Sequence, residues 1–229
     1  MNIIIATIKS WNIKQAKKFI REHPEYKVTL ITRKQDLTLE NIDKFNPKYI
    51  FFPHWSWKIP KNIYEKYECV AFHMTDLPFG RGGSPLQNLI ARKIYKTKIS
   101  AIRVIEEIDA GPIYLKEDLC LYGSAEEIFI RTSKIIFERM IPKILEGNIQ
   151  PKPQEGNVVV FRRRKREEGD ISGIKDLDTL FDYIRMLDAE GYPRAFLETE
   201  HFIFEFSRAS LKTDRIIADV VIKPEEERI

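Results

Sequence analysis

The chain has 229 residues, of which 43% are hydrophobic and 31% charged, as expected of a soluble globular domain with a small appendage. No apolar run approaches the roughly 18 residues of a membrane span, and no signal-like segment follows Met1, so neither membrane insertion nor export is expected. Two isolated cysteines, Cys69 and Cys120, indicate neither a disulfide framework nor a zinc site and point to the cytoplasm, while a net charge of +4 suits an anionic substrate without indicating nucleic acid.

The first half alternates short β-rich runs with helical spacing. Residues 2–7 read as a buried strand and 12–21 as a helix with Ile13, Ala16 and Phe19 on one face. Residues 27–32 and 49–52 are further strands, with helices near 39–45 and 59–67. Residues 69–72 form a fourth strand that ends at His73. This order predicts an α/β fold, a Rossmann-like, mostly parallel sheet with helices on both faces, whose ligands bind at the carboxyl ends of strands.

Past a Gly-rich loop, residues 85–94 read as a helix, and 100–105 and 112–115 as two strands. A capping box at Ser124 and Glu127 opens a long helix ending near Leu145. Residues 150–156 have the composition of a linker. The tail then predicts a strand near 158–161, a helix near 177–188 and strands near 195–197, 202–206 and 216–222. The expected division is a domain of residues 1–150 and a small α+β unit of 151–229, whose strands make a homodimer plausible.

Catalytic chemistry is sought first at His73, one of four histidines, and at Asp109, thirty-six residues later. A His at a strand end with a carboxylate beside it is the minimum equipment for general base catalysis. Taken singly, each residue has an ordinary structural reading. A lone His near a strand end is more often structural, and Asp109 begins an ordinary turn with Ala110, Gly111 and Pro112. Between them lie Leu77, Pro78, Arg81, Gly82 and Gly83, where glycine permits close backbone approach and an Arg can grip an anion.

Together these residues resemble the formyltransferase family that uses 10-formyltetrahydrofolate. Its members carry Asn-x-His-x-Ser-Leu-Leu-Pro-x-x-Arg-Gly-x-x-Pro followed downstream by an Asp-x-Gly turn. His73, Leu77, Pro78, Arg81, Gly82 and Pro85 match that motif in order, and Asp109 falls in the turn. The resemblance covers roughly residues 1–150. It implies acyl transfer to an amine, with His73 as general base and Asp109 orienting it. It also places the folate against Trp55, Ser56, Trp57 and the loop Ile105, Glu106, Glu107, Ile108. Arg81, Gly82 and Tyr192 are the implied acceptor-binding residues, and no metal is expected. The tryptophans read equally well as a packed turn, and Tyr192 as part of a structural one.

One position departs from the family. The Asn two residues before the His is Ala71 here, which removes an amide expected to bind the developing oxyanion. Among the branches, the Gly-free segment 6–11 excludes the purine-pathway enzyme. The compact tail, with residues 161–164, 183–188 and 191–196, most resembles the branch that formylates 4-amino sugars on nucleoside diphosphates. A nucleotide-linked amino sugar is therefore the expected partner, and nucleic acid is not. The basic run Arg162, Arg163, Arg164, Lys165, Arg166 reads as a solvated face, because Glu167 and Glu168 follow at once. Two alternatives remain: a catalytically impaired folate or nucleotide-sugar binding homologue, and a methionyl-tRNA formyltransferase-like enzyme with a reduced tail.

Overall fold

A computed structural model describes residues 1–147 and 149–225. Six strands form the main sheet in the order β2-β1-β3-β4-β6-β7, with β1 Asn2–Ala6, β2 Lys27–Ile31, β3 Tyr49–Phe52, β4 Glu68–His73, β6 Lys96–Arg103 and β7 Ile113–Cys120. The strands β2, β1, β3 and β4 are mutually parallel, while β6 pairs antiparallel to β4. The apolar runs explain the parallel part. Ile3, Ile4 and Ile5 are at most 1% exposed, and Ile50, Phe51, Phe52 and Val70 are buried beside them. Such runs suit strands covered on both faces.

Helix α1, Ser10–Glu22, buries Trp11, Ala16 and Phe19. Helix α2, Leu39–Phe45, starts at Thr38, whose hydroxyl accepts from the amide of Asn41, and ends at Asn46 with φ of 47°. Helix α3, Lys61–Tyr64, is shorter than the sequence predicts. The predicted helix after the Gly-rich loop is α4, Pro85–Ile90. The loop itself holds a strand that its glycines hide from sequence reading: β5, Phe79–Gly82, pairs with β8, Val159–Phe161. Ser124 and Glu127 form the predicted box ahead of α5, Ala125–Ile135. A π-helical turn, Ile136–Met140, then leads into α6, Ile141–Leu145, which carries Pro142 in its first turn.

The chain falls into two compact units. The first comprises Met1–Gly82, Thr97–Leu119 and Phe129–Val160, and the second Gly83–Lys96, Cys120–Ile128 and Phe161–Ile229. In the second, α7, Leu177–Met186, accompanies a three-stranded antiparallel sheet in the order β11-β10-β9, with β9 Ala195–Glu198, β10 Phe202–Leu211 and β11 Ile216–Pro224. The Nε2 amide of Gln87 on α4 donates to the carbonyl of Met186, tying α4 to the end of α7. Among the described residues no helix is long and apolar enough to cross a membrane.

Candidate active site

His73 is the last residue of β4, paired in register with Ser100 of β6, and its side chain is only 9% exposed. Its Nε2 lies 2.7 Å from the carbonyl oxygen of Gly80. A carbonyl can only accept, so Nε2 carries the hydrogen and the neutral ring keeps its lone pair on Nδ1. Gly80 turns its carbonyl inward at φ of 79°, a left-handed conformation that glycine adopts without penalty. The Thr75 hydroxyl donates to the same oxygen at 3.3 Å, and the Ser100 hydroxyl donates to the carbonyl of Thr75 at 2.7 Å. Thr75 and Ser100 are fully buried, so this support is shielded from water.

Asp109 faces the other ring nitrogen. Its Oδ1 is 3.6 Å from Nδ1, ion-pair range but longer than a hydrogen bond. The two catalytic candidates are thus brought together, with the ring oriented by the Gly80 carbonyl and the carboxylate facing Nδ1. The second carboxylate oxygen of Asp109 accepts from the Gly82 amide at 2.9 Å. Asp109 itself has φ of 56°, a conformation that Asp tolerates better than most residues. Two residues on, Gly111 is required: a Cβ there would lie 1.7 Å from the carbonyl oxygen of Arg103.

The Arg81 guanidinium is already engaged. Its Nε and one terminal nitrogen donate to Oε1 of Gln154 at 3.0 and 2.9 Å, and another bonds Glu107 at 2.9 Å. Gln154 in turn donates from Nε2 to the carbonyls of Asp109 at 2.7 Å and Gly111 at 2.9 Å. The sequence gives no hint of this. Gln154 sits in the Pro-rich segment that reads as a linker, and its partners are more than forty residues distant.

The remaining expected positions divide by environment. Trp55 is half-buried on the core cluster of Ile4, Ile50, Phe52 and Cys69, and Val104, next to Ile105, packs on that cluster too. Trp57 meets Trp55 edge-on at 5.0 Å and is 37% exposed. Ser56 and Glu106 are exposed, as are Ile105 and, at 68%, Ile108. The indole N–H of Trp55 is buried without a hydrogen-bond partner. Open apolar faces and one unanswered ring donor are chemically suited to a flat heteroaromatic ring. Tyr192 belongs to the second unit, where burial pushes its hydroxyl up to about 12, with Arg163 acting in the opposite direction.

Ala71 pairs with Phe52 and Ile102 inside the sheet and offers only a methyl group. Two polar residues nearby in sequence are engaged elsewhere. Thr75 is committed to Gly80, and the Asn88 amide nitrogen donates to the carbonyls of Gly83, Ser84 and Arg162. In the basic run, Arg162 pairs with Glu168, while Arg164 donates to the Glu168 carbonyl and lies over the Tyr183 ring at 5.3 Å. Arg166 lies over Phe196 at 5.4 Å. Among the described residues no cluster of metal-ligating side chains is present.

Comparison with known proteins adds to this geometry. A family model described as "Methionyl-tRNA formyltransferase, C-terminal domain" matches residues 166–223. The solved structure of a methionyl-tRNA formyltransferase from Clostridium thermocellum is 61% identical, covers 98% of this chain and 99% of its own, and superposes with a TM-score of 0.96. The methionyl-tRNA formyltransferase of Rickettsia felis is 31% identical over 157 residues, 66% of this chain and 52% of that protein. The chain spans about half the length of the curated relatives it matches. A 4-N formyltransferase from Francisella tularensis shares the fold, with a TM-score of 0.67 at 15% identity over 87% of this chain and 93% of its own.

Proposed function

We propose, from the premise that this chain belongs to the formyltransferase family, that it moves a formyl group from 10-formyltetrahydrofolate to the amine of an aminoacyl-tRNA, methionyl-tRNA being the acceptor. The observation that carries this reading is the near full-length, 61% identical structure of a methionyl-tRNA formyltransferase. This acceptor takes the place of the nucleotide-linked amino sugar expected from the tail. The sugar remains a second reading because residues 161–164, 183–188 and 191–196 resemble the amino-sugar branch, and the Francisella tularensis 4-N formyltransferase has a matching extent and fold.

The chemistry assigned to the site is acyl transfer to an amine. The uncharged amine nitrogen attacks the formyl carbon, forming a C–N bond and a tetrahedral intermediate. His73 takes the amine proton at Nδ1, and the Asp109 carboxylate at 3.6 Å stabilises the resulting imidazolium. The bond from the formyl carbon to the folate nitrogen breaks, and His73 returns the proton to that nitrogen, releasing tetrahydrofolate and the N-formyl product. The Gly80 carbonyl keeps the other ring nitrogen protonated throughout, so one nitrogen both accepts and returns the proton. Trp55, Ser56, Trp57 and the loop from Ile105 to Ile108 are assigned to the folate ring. Arg81 and Gly82 are assigned to shaping the acceptor side of the first unit; Tyr192, in the second unit, is assigned to acceptor binding on the family resemblance alone.

A homodimer belongs to the same reading. β11 is an edge strand on which Val220, Val221 and Ile222 are 45–59% exposed, and exposed edge strands recruit partners. Light scattering showing only a monomer removes it.

The acceptor is tested by incubating the purified chain with 10-formyltetrahydrofolate and, separately, methionyl-tRNA or a panel of nucleotide-linked 4-amino sugars. Formylmethionyl-tRNA is the expected product. Formylated sugar alone moves the assignment to the second reading. Tetrahydrofolate binding without product from any acceptor identifies an impaired binding homologue, in line with the missing amide at Ala71.

A further inference from the structure

We propose that Gln154 is a positioning residue for the His73–Asp109 pair, acting by locking the turn that carries Asp109; the catalytic meaning of this rests on the function proposed above. The primary amide is saturated. Its two N–H groups reach the carbonyls of Asp109 and Gly111, and its single oxygen takes two N–H groups from Arg81. A side chain that donates twice on one side and accepts twice on the other must be a carboxamide of this length.

The geometry explains why the turn needs such a lock. Asp109 holds φ of 56°, which is sparsely populated for a residue with a side chain. Its carboxylate must meet the Gly82 amide at 2.9 Å with one oxygen while leaving the other 3.6 Å from Nδ1 of His73. Gln154 grips the backbone on both sides of Ala110, at Asp109 and at Gly111, and so fixes the direction in which the carboxylate leaves the chain. Through its oxygen it also anchors Arg81, the residue before Gly82, so donor and acceptor of the Gly82–Asp109 bond hang from one side chain. A shift of about 1 Å in such a constellation can lower a rate on the order of 10²-fold.

Two substitutions separate this role from simple support. Gln154→Glu keeps the shape and strengthens pairing with Arg81, yet sets a carboxylate oxygen against the carbonyls of Asp109 and Gly111. Gln154→Ala removes both sides. Positioning predicts that Gln154→Glu is impaired at least as much as Gln154→Ala, with kcat down about 10- to 100-fold and the loss falling more on kcat than on KM. It also predicts that the Gly82 amide proton, read by NMR, moves upfield and exchanges faster in both variants while circular dichroism stays native. A Gln154→Glu protein with an unshifted Gly82 amide overturns the proposal, as does one with undiminished kcat. The Gly82 signal decides the matter even if no acceptor is formylated by the unsubstituted protein, so failure of the functional reading is recognised separately.

Discussion

The Nε2 atom of His73 lies 2.7 Å from the carbonyl oxygen of Gly80, and this contact decides which ring nitrogen can serve as a base. With a hydrogen fixed on Nε2, the lone pair sits on Nδ1, the nitrogen that faces Asp109. ¹⁵N NMR of the neutral ring is therefore expected to show the Nε2–H tautomer. His73→Ala is expected to lower turnover about 10²- to 10⁴-fold, the range for a positioned proton-transfer group. A dominant Nδ1–H signal above neutral pH contradicts the assignment of the base.

Asp109→Asn separates charge from geometry. The amide oxygen of Asn can still accept from Gly82, so the turn keeps its anchor. What disappears is the negative charge 3.6 Å from Nδ1. Turnover is expected to fall about 10²-fold or more with the unfolding midpoint nearly unchanged. Full activity in this variant removes Asp109 from the mechanism.

The contrast between Asp109 and Gln154 shows what the sequence can reveal. The strands β1, β3 and β4 are continuous apolar runs with turn residues at their ends, and those local patterns place His73 at a carboxyl end. Asp109 is legible through its motif spacing. Gln154 is not, because its meaning lies in carbonyls 43 and 45 residues away and in Arg81, 73 residues away. Ser100, and the role of the Thr75 hydroxyl, escape notice for a similar reason: a buried hydroxyl supporting a backbone carbonyl leaves no periodic trace. β5 is hidden by its two glycines, since strand reading depends on side chains that glycine lacks.

His54 supplies a pH prediction. It sits at φ of 58°, edge-on to the stacked Trp11 and Phe129 rings, and burial, aided by the positive charge of Lys9, pushes its imidazole down to about 4. The unfolded chain then takes up the proton first, near pH 6.5. Stability from this residue is complete above that pH, declines as pH falls toward 4, and levels off below. Between pH 7 and pH 5 the protein should lose about 2 kcal/mol in urea unfolding relative to His54→Asn, which keeps a residue tolerant of positive φ. Parallel losses in the two proteins would falsify this account.

Arg185 lies in the tail segment that resembles the amino-sugar branch, yet its contacts assign it to the interior of the second unit. Its guanidinium meets Asp182 at 2.7 Å and donates to the carbonyls of Leu121 and Gly123, with both ionic side chains at most 5% exposed. The second oxygen of Asp182 accepts from Tyr95 at 2.7 Å and pairs with Lys93 at 3.0 Å. Arg185→Met leaves one buried oxygen of Asp182 and two carbonyls without their donor, and is expected to reduce stability by about 3–5 kcal/mol. Adding Asp182→Leu removes the under-satisfied carboxylate and should restore part of that loss, because a buried ion pair contributes little beyond an apolar pair of similar volume. Urea unfolding of the two variants measures the difference. If the double variant is less stable than the single one, the carboxylate is held mainly by Tyr95 and Lys93 rather than by Arg185.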